Sequence, residues 1–392
     1  MRYGWLALAL AVAAGCSEAR RPAGPPREVS PQPGPHADAH LAAAERAVDF
    51  LLSRQNPDGG YFSMQGAPMS MVGVTALVAV ALMDSPRGLT EGSSPVLARA
   101  IQFIVKSQQP SGAIVVPGQG LDNYHTSAAV LALKRTGNPA YSEVLEKAKQ
   151  FLRGLQLDEG EGLDRSNPFF GGAGYSPGAK VSDMSNTAFW IEAMRELGVK
   201  EDDPAMQNAL VFVRRVANNP EVNDQPWAKE VAPEDFGGGV YRPAADPSRK
   251  DVDISKAGRP PGRTGWRSYG SMTYAMFKSF IDGGASRDDP AVRGALRWIE
   301  ANYTLDENPG IGGDGQYYYY RLFARALKSW GSPKLAGHDW AQELADKLVA
   351  LQRADGSWAN PRDRWHEGDP ALVTAYALEA LSIAIDELAR RK

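Results

Sequence analysis

Polar and aromatic residues gather at five matching places in this chain, each at the start of a largely apolar run. They are Asp122, Tyr124 and His125; Asp183, Ser185 and Asn186; Arg267, Tyr269 and Ser271; Asp314, Gln316 and the run Tyr317 to Tyr320; and Trp365, His366, Glu367 and Asp369. Carboxylates beside Tyr and His are the groups of general acid–base chemistry, which makes Asp183, His125 and Asp369 the candidate catalytic residues. Tyr124, Ser185, Asn186, Tyr269, Asp314, Tyr317 and Trp365 are the candidate ligand-binding residues. Aromatic walls of this kind suit an isoprenoid chain or a cation held over ring faces. They also stack on sugar rings, where two carboxylates at the right separation cleave glycans. Each residue has a plainer role beside the chemical one. Asp122, Asp183 and Asp369 stand where a carboxylate caps the free N–H groups of a helix. His125 suits a hydrogen-bonded structural position. Successive helical residues point about 100° apart, so Tyr317 with Tyr320, or Tyr318 alone, faces one side.

The elements that must position these residues repeat. Residues 46–61 read RAVDFLLSRQNPDGGY and residues 343–358 read ELADKLVALQRADGSW: a helix, then Gln-x-x-Asp-Gly-small-aromatic. The register of that helix recurs at Ala47, Ala100, Ala148, Ala209, Ala295 and Leu344, each with apolar residues at i, i+3 and i+4. Gln closes the phrase at Gln55, Gln108, Gln156 and Gln352. A Gly-rich loop follows each, then a second helix apolar on most of its surface, at 71–82, 124–133, 185–194, 270–280, 317–327 and 371–381. A helix apolar nearly all round belongs in an interior. Six pairs therefore predict an all-α fold, an α6/α6 barrel with six outer and six inner helices around a central cavity. The long step from Ala209 to Ala295 holds an insertion at 220–265, rich in Pro, Gly and charge.

The Gln-x-x-Asp-Gly-Gly-aromatic phrase on such an array resembles the prenyltransferase/squalene-cyclase repeat superfamily over residues 40–385. RSYGSMTYAMFKSF (267–280), YTLDENPG (303–310) and RWHEGDPALVTAYALEAL (364–381) look like its exported, squalene-cyclase-like bacterial subgroup. The resemblance implies a terpenoid-cyclase-type toroid and an isoprenoid-type hydrophobic ligand. It also allows three activities to be examined. Protein prenyltransferases of the superfamily hold zinc through Asp, Cys and His, and its thioester proteins need Cys near Gln. The toroid segment has no Cys, so neither chemistry is expected, and no metal or other cofactor is expected. Triterpene cyclases protonate an alkene with the third residue of Asp-x-Asp-Asp, placed just before Thr-Ala. Here Asp183-Met184-Ser185-Asn186 precedes Thr187-Ala188, and Ser185 stands where the acid should be. A hydroxyl is no substitute for a strong carboxylic acid. Asp251-Val252-Asp253 lies among Arg249, Lys250 and Lys256 and reads as a charged run in a solvated loop.

The compartment is read from the other end of the chain. MRYGWLALALAVAAGC carries a basic residue, a short apolar stretch and Ala13-Ala14-Gly15-Cys16. The stretch is too short for a spanning helix and fits an export signal. Its ending resembles the lipobox of bacterial lipoproteins, which implies lipidation of Cys16, the only cysteine. Ser17 then points to the outer membrane of a Gram-negative cell. Residues 17–39 are Pro-rich and read as a tether, with the toroid domain at 40–392. Net charge is −3 with 43 basic and 46 acidic residues, so no nucleic-acid partner is expected. No feature names a protein partner. Three readings follow: an isoprenoid binder or diverged cyclase-like enzyme, a non-catalytic envelope scaffold, and a carbohydrate-active lyase or hydrolase. A dry apolar lumen favours the first, a plugged one the second, and an open groove with two free carboxylates the third.

Overall fold

The computed structural model describes residues 35–64, 66–247 and 254–391. The stretch read as an export signal, Cys16 and the run Asp251-Val252-Asp253 lie outside the described residues. Twelve α-helices of eight residues or more are present among those described: α1 Pro35–Ser53, α2 Val72–Asp84, α3 Pro95–Lys106, α4 Asp122–Arg135, α5 Ser142–Arg153 and α6 Met184–Glu196, then α7 Pro204–Arg215, α8 Gly270–Asp282, α9 Pro290–Ala301, α10 Gln316–Trp330, α11 Trp340–Leu351 and α12 Pro370–Ala389. Helix α1 begins inside the stretch assigned to the tether. A two-stranded hairpin, β1 Ser63–Met64 with β2 Ala67–Pro68, sits on the loop entering α2.

Even-numbered helices form a closed inner ring, since α2 packs on α4, α4 on α6, α6 on α8, α8 on α10, α10 on α12 and α12 back on α2. Odd-numbered helices lie outside it. The expected α6/α6 toroid is the observed one. Inner helices can be apolar all round because both sides of each are covered: α2 buries Val74, Leu77, Val78 and Leu82 on different faces. Outer helices bury one stripe, as Leu97, Ala100, Ile101 and Ile104 do on α3. Each buried Leu or Ile contributes roughly 1.5–3 kcal/mol.

The Gln phrase is the fastener between repeats. The side-chain amide of Gln55 donates to Gly59 O in its own loop (2.9 Å) and to Val96 O in the first turn of α3 (2.8 Å). Gln108 reaches Val144 O and Gln156 reaches Ala205 O in the same way. Gln352 donates to Ala43 O of α1 at 2.9 Å, and so joins the last repeat to the first. Where Gln is absent, Asn219 reaches Pro290 O and Tyr303 reaches Glu343. The glycine of the phrase allows the close approach: Gly356 has φ +86°, and a Cβ there would lie 2.5 Å from Arg46 O. The aromatic then turns inward, with Tyr61 and Trp358 fully buried. Its N–H donates to a threonine hydroxyl on the inner helix, Thr75 or Thr374.

Replacing Gln352 with Ala removes the amide bonds to Ala43 O and Gly356 O and leaves carbonyls at the seam without them. The expected loss is about 1–3 kcal/mol of unfolding free energy, read as a lower urea midpoint. A midpoint equal to wild type would mean the seam does not depend on this fastener.

Candidate functional site

Inner helices share one direction, so their N-termini gather at one mouth of the ring. Asp183 is the N-cap of α6: Oδ1 accepts from Asn186 N–H and Oδ2 from Asn186 Nδ2, both at 2.9 Å. It is buried, and burial raises its carboxyl above the ordinary value against the pull of these hydrogen bonds. Tyrosines surround it. Tyr175 and Tyr241 share a 2.6 Å hydrogen bond between hydroxyls. Tyr124 packs edge-on against Tyr175 at 5.8 Å and Phe189 at 5.2 Å between centroids. Tyr269, just before α8, is buried. Burial raises the hydroxyls of Tyr124, Tyr241 and Tyr269 well above their usual value, and the nearby Asp183 raises them further. All three are therefore held as neutral hydroxyls.

Ser185 donates to or accepts from the Tyr318 hydroxyl at 3.1 Å, and Tyr318 packs on Tyr376 at 5.8 Å. Helices α6 and α10 are not neighbours in the ring, so this bond crosses the lumen. Tyr124, Tyr318 and Tyr376 are only half-buried although they face inward, which marks open space at their level. Of the tyrosine run, Tyr318 is the one in the lumen. Tyr317 packs on Tyr320, while Tyr319 and Tyr320 donate to Thr304 O and Leu305 O.

The remaining candidates are placed apart from this cluster. His125 is buried on α4 and accepts from Gly73 N–H of α2 at 2.8 Å; burial pushes its pKa down to about 4, so it is neutral. Asp369 caps α12 through Leu372 N–H and also accepts from Ser63 N–H, which ties the last repeat to the first. Asp314 pairs with Arg362 and Arg364 at the rim. Trp365 is 46% exposed there, beneath the Arg364 guanidinium at 4.5 Å. Phe62, Leu121, Trp365 and His366 all have positive φ, of 105°, 60°, 56° and 66°. Such backbone costs on the order of 1–3 kcal/mol per residue outside glycine. These four lie on loops leading into inner helices, while Ala336, the fifth such residue among those described, lies between α10 and α11.

Deeper in the lumen lies a charge network that sequence reasoning missed. Arg321 Nε donates to Glu379 at 2.7 Å, Arg325 pairs with both Glu379 and Glu192, and Lys278 lies 3.3 Å from Glu192 and 2.5 Å from Asp282. The Glu192–Arg325 pair again joins α6 to α10 across the interior. Burial opposes ionisation of Glu379, but Arg321 and Arg325 outweigh it and hold the carboxyl at about 2. The signal was present as single charges on otherwise apolar inner helices. Two cavities adjoin the network. One of about 10 Å³ is bounded by Ala188, Phe189, Tyr318 and Arg321. One of about 180 Å³ lies at the opposite mouth, among Val80, Leu131, Lys134, Arg135, Glu196 and Arg325. Tyr175 and Tyr241 were missed as well, the second because it comes from the insertion. Among the described residues no cluster of three or more His, Cys, Asp or Glu could hold a metal ion, and no helix is long and apolar enough to cross a membrane.

No family model matches the chain. Drimenyl diphosphate synthase from Streptomyces showdoensis is 28% identical over 164 residues, which is 40% of this chain and only 27% of that protein. Among solved structures, the type II terpene cyclase MstE from Scytonema superposes with a TM-score of 0.57 at 15% identity, over 90% of this chain and 99% of the cyclase. A variant of that cyclase in complex with its substrate geranylgeranyl dihydroxybenzoate gives 0.53 with the same identity and coverage. The GH76A α-1,6-mannanase from Salegentibacter sp. HEL1_6 gives 0.58 at 12% identity, over 88% of this chain and 99% of the mannanase. These likenesses define the class of fold: the α/α toroid that terpene cyclases and a mannanase share, as the repeat resemblance implied.

The Glu379 carboxyl is depressed in the folded protein, so its contribution is full above the unfolded value near 4.3 and is lost as pH falls toward 2. Glu379→Gln should cost about 3–5 kcal/mol at neutral pH, because buried Arg321 and half-buried Arg325 lose their shared carboxylate. It should also flatten the fall in urea midpoint between those pH values. A variant with the wild-type acid limb would show that another group sets it.

Proposed function

We propose that this toroid binds an isoprenoid-type hydrophobic ligand at its tyrosine-lined mouth and does not act as an ordinary Asp-x-Asp-Asp triterpene cyclase. The observation that carries this reading is the cluster of Tyr124, Tyr175, Tyr241, Tyr269 and Tyr318 around Asp183, with Ser185 bonded to Tyr318 where an acid would be needed. Aromatic faces with a few neutral hydroxyls suit an apolar chain. The terpene-cyclase likeness supports the ligand class at the level of fold only.

The other readings have less to support them. Glycan cleavage needs two available carboxylates, yet Asp183 and Asp369 cap helices, Asp314 is paired with arginines, and Glu367 accepts from the Tyr318 N–H and Asn360. The scaffold reading is favoured by one observation, that side chains of α6 and α10 bridge the interior at two levels, Ser185–Tyr318 and Glu192–Arg325. The proposal also keeps the toroid at the cell envelope through a lipidated Cys16, on sequence grounds alone.

Purified full-length protein should carry extractable isoprenoid lipid detectable by mass spectrometry, and Tyr269→Ala combined with Tyr318→Ala should lose it. A wild-type protein that is empty and binds no polyprenyl compound sinks the ligand reading and leaves the scaffold. For the anchor, wild-type protein should fractionate with membranes and carry acyl chains by mass. Cys16→Ser should lose both; unchanged fractionation would refute lipidation at this residue.

A further inference from the structure

Arg321 is 1% exposed, yet its guanidinium is only partly used. Nε is bound to Glu379, and Nη2 has no hydrogen-bond partner in the protein. The group lies over the rings of Phe189 at 5.3 Å and Tyr376 at 6.0 Å. Beside it is the cavity of about 10 Å³ lined by Ala188, Phe189 and Tyr318 and, on the side of the charge network, by Glu192, Lys278 and Asp282. A space of that size admits one oxygen-sized group, about a single water. A buried donor left without an acceptor is unfavourable, so this position calls for an oxygen.

The charge balance says what kind of oxygen. Arg321, Arg325 and Lys278 face Glu379, Glu192 and Asp282, three cations against three carboxylates. The network is neutral as it stands. An anionic head group would bring an uncompensated charge into a buried place, which is strongly opposed. An uncharged acceptor completes the donor and leaves the balance intact.

We infer that Arg321 is a specificity-determining residue that reads an uncharged oxygen, a hydroxyl or carbonyl, at the leading end of an isoprenoid-type ligand. The apolar body would lie among Phe189, Tyr318 and Tyr376 and extend toward the tyrosine mouth. This rests on the ligand reading proposed above, and narrows it: hydrocarbon isoprenoids leave Nη2 without a partner, and diphosphates overload the network. A site built to bond an oxygen rejects the analogue that lacks it.

The test compares three ligands of equal chain length on the full-length protein by calorimetric or fluorescence titration: geranylgeraniol, the corresponding hydrocarbon, and geranylgeranyl diphosphate. Wild type should bind the alcohol at least about 10-fold more tightly than either of the others. Arg321→Lys keeps a cation for Glu379 but loses the planar fork, so the alcohol and hydrocarbon should then bind within about 2-fold of each other. Equal binding of all three by wild type, or an alcohol preference that survives in Arg321→Lys, overturns the inference while leaving the broader ligand reading. Binding of none overturns both. If Arg321→Lys fails to fold, the wild-type series decides alone.

Discussion

Closure of the ring is the constraint on which the other features depend. An open array of helix pairs would leave apolar flanks at both ends, on α2 and on α12. Here the flanks meet, and the polar contacts that hold the seam include Gln352 to Ala43 O, Arg46 to Gln352, Asp369 to Ser63, and His40 to Asp346 at 2.7 Å. The seam reuses the device that joins the other repeats, so the first and last phrases match because they do the same job. Closure also sets the chemistry. It brings six helix N-termini to one face, where the backbone N–H groups favour oxygen acceptors such as Asp183, Glu367 and Asp369.

A closed ring of six inner helices encloses space that side chains must line or fill. Helix α10 does most of this, sending Tyr318, Arg321 and Arg325 inward toward residues of α6 and α12. Two arginines on one inward helix face would be untenable alone. They persist because Glu192 and Glu379 meet them from both sides, and because Arg321 and Arg325 divide one carboxylate between them. The lumen is thus layered, with neutral tyrosines at the mouth and a balanced charge layer beneath. That layering distinguishes it from a continuous apolar tube.

Architecture was legible in the sequence because it rests on a phrase repeated with fixed chemistry. Gln55, Gly59 and Tyr61 each answer to one local requirement, and Gln352, Gly356 and Trp358 answer to the same ones. The site was legible only in part. Asp183, Ser185, Asn186, Tyr124 and Tyr269 do assemble, since being at a helix start fixes the level at which each enters the ring. Direction is harder than level. A rotation of about 100° per residue separates Tyr317 from Tyr318, and only the packing of α10 on its neighbours decides between them. Glu192, Lys278, Arg325 and Glu379 were hidden for a related reason: the pairing that makes a buried charge tolerable lies on another helix, far away in sequence. Tyr241 had no repeat to mark it, and reaches the cluster because the insertion folds back so that Met184 N–H donates to Tyr241 O at 2.9 Å.

Ser185 is no proton donor to an alkene, and the neighbouring Asp183 does not take that part. Proton delivery to an alkene needs a carboxyl whose proton is free to leave toward the substrate. Both oxygens of Asp183 are instead turned to the first turn of α6, and burial disfavours the ionised state that delivery would leave behind. Ser185, meanwhile, spends its hydroxyl on Tyr318, fixing a ring in the middle of the lumen. An aspartate in that place would face a charge layer already in balance, with no unpaired cation to steady it. The residues around Asp183 therefore offer aromatic faces and neutral hydroxyls rather than a carboxyl free to give up its proton.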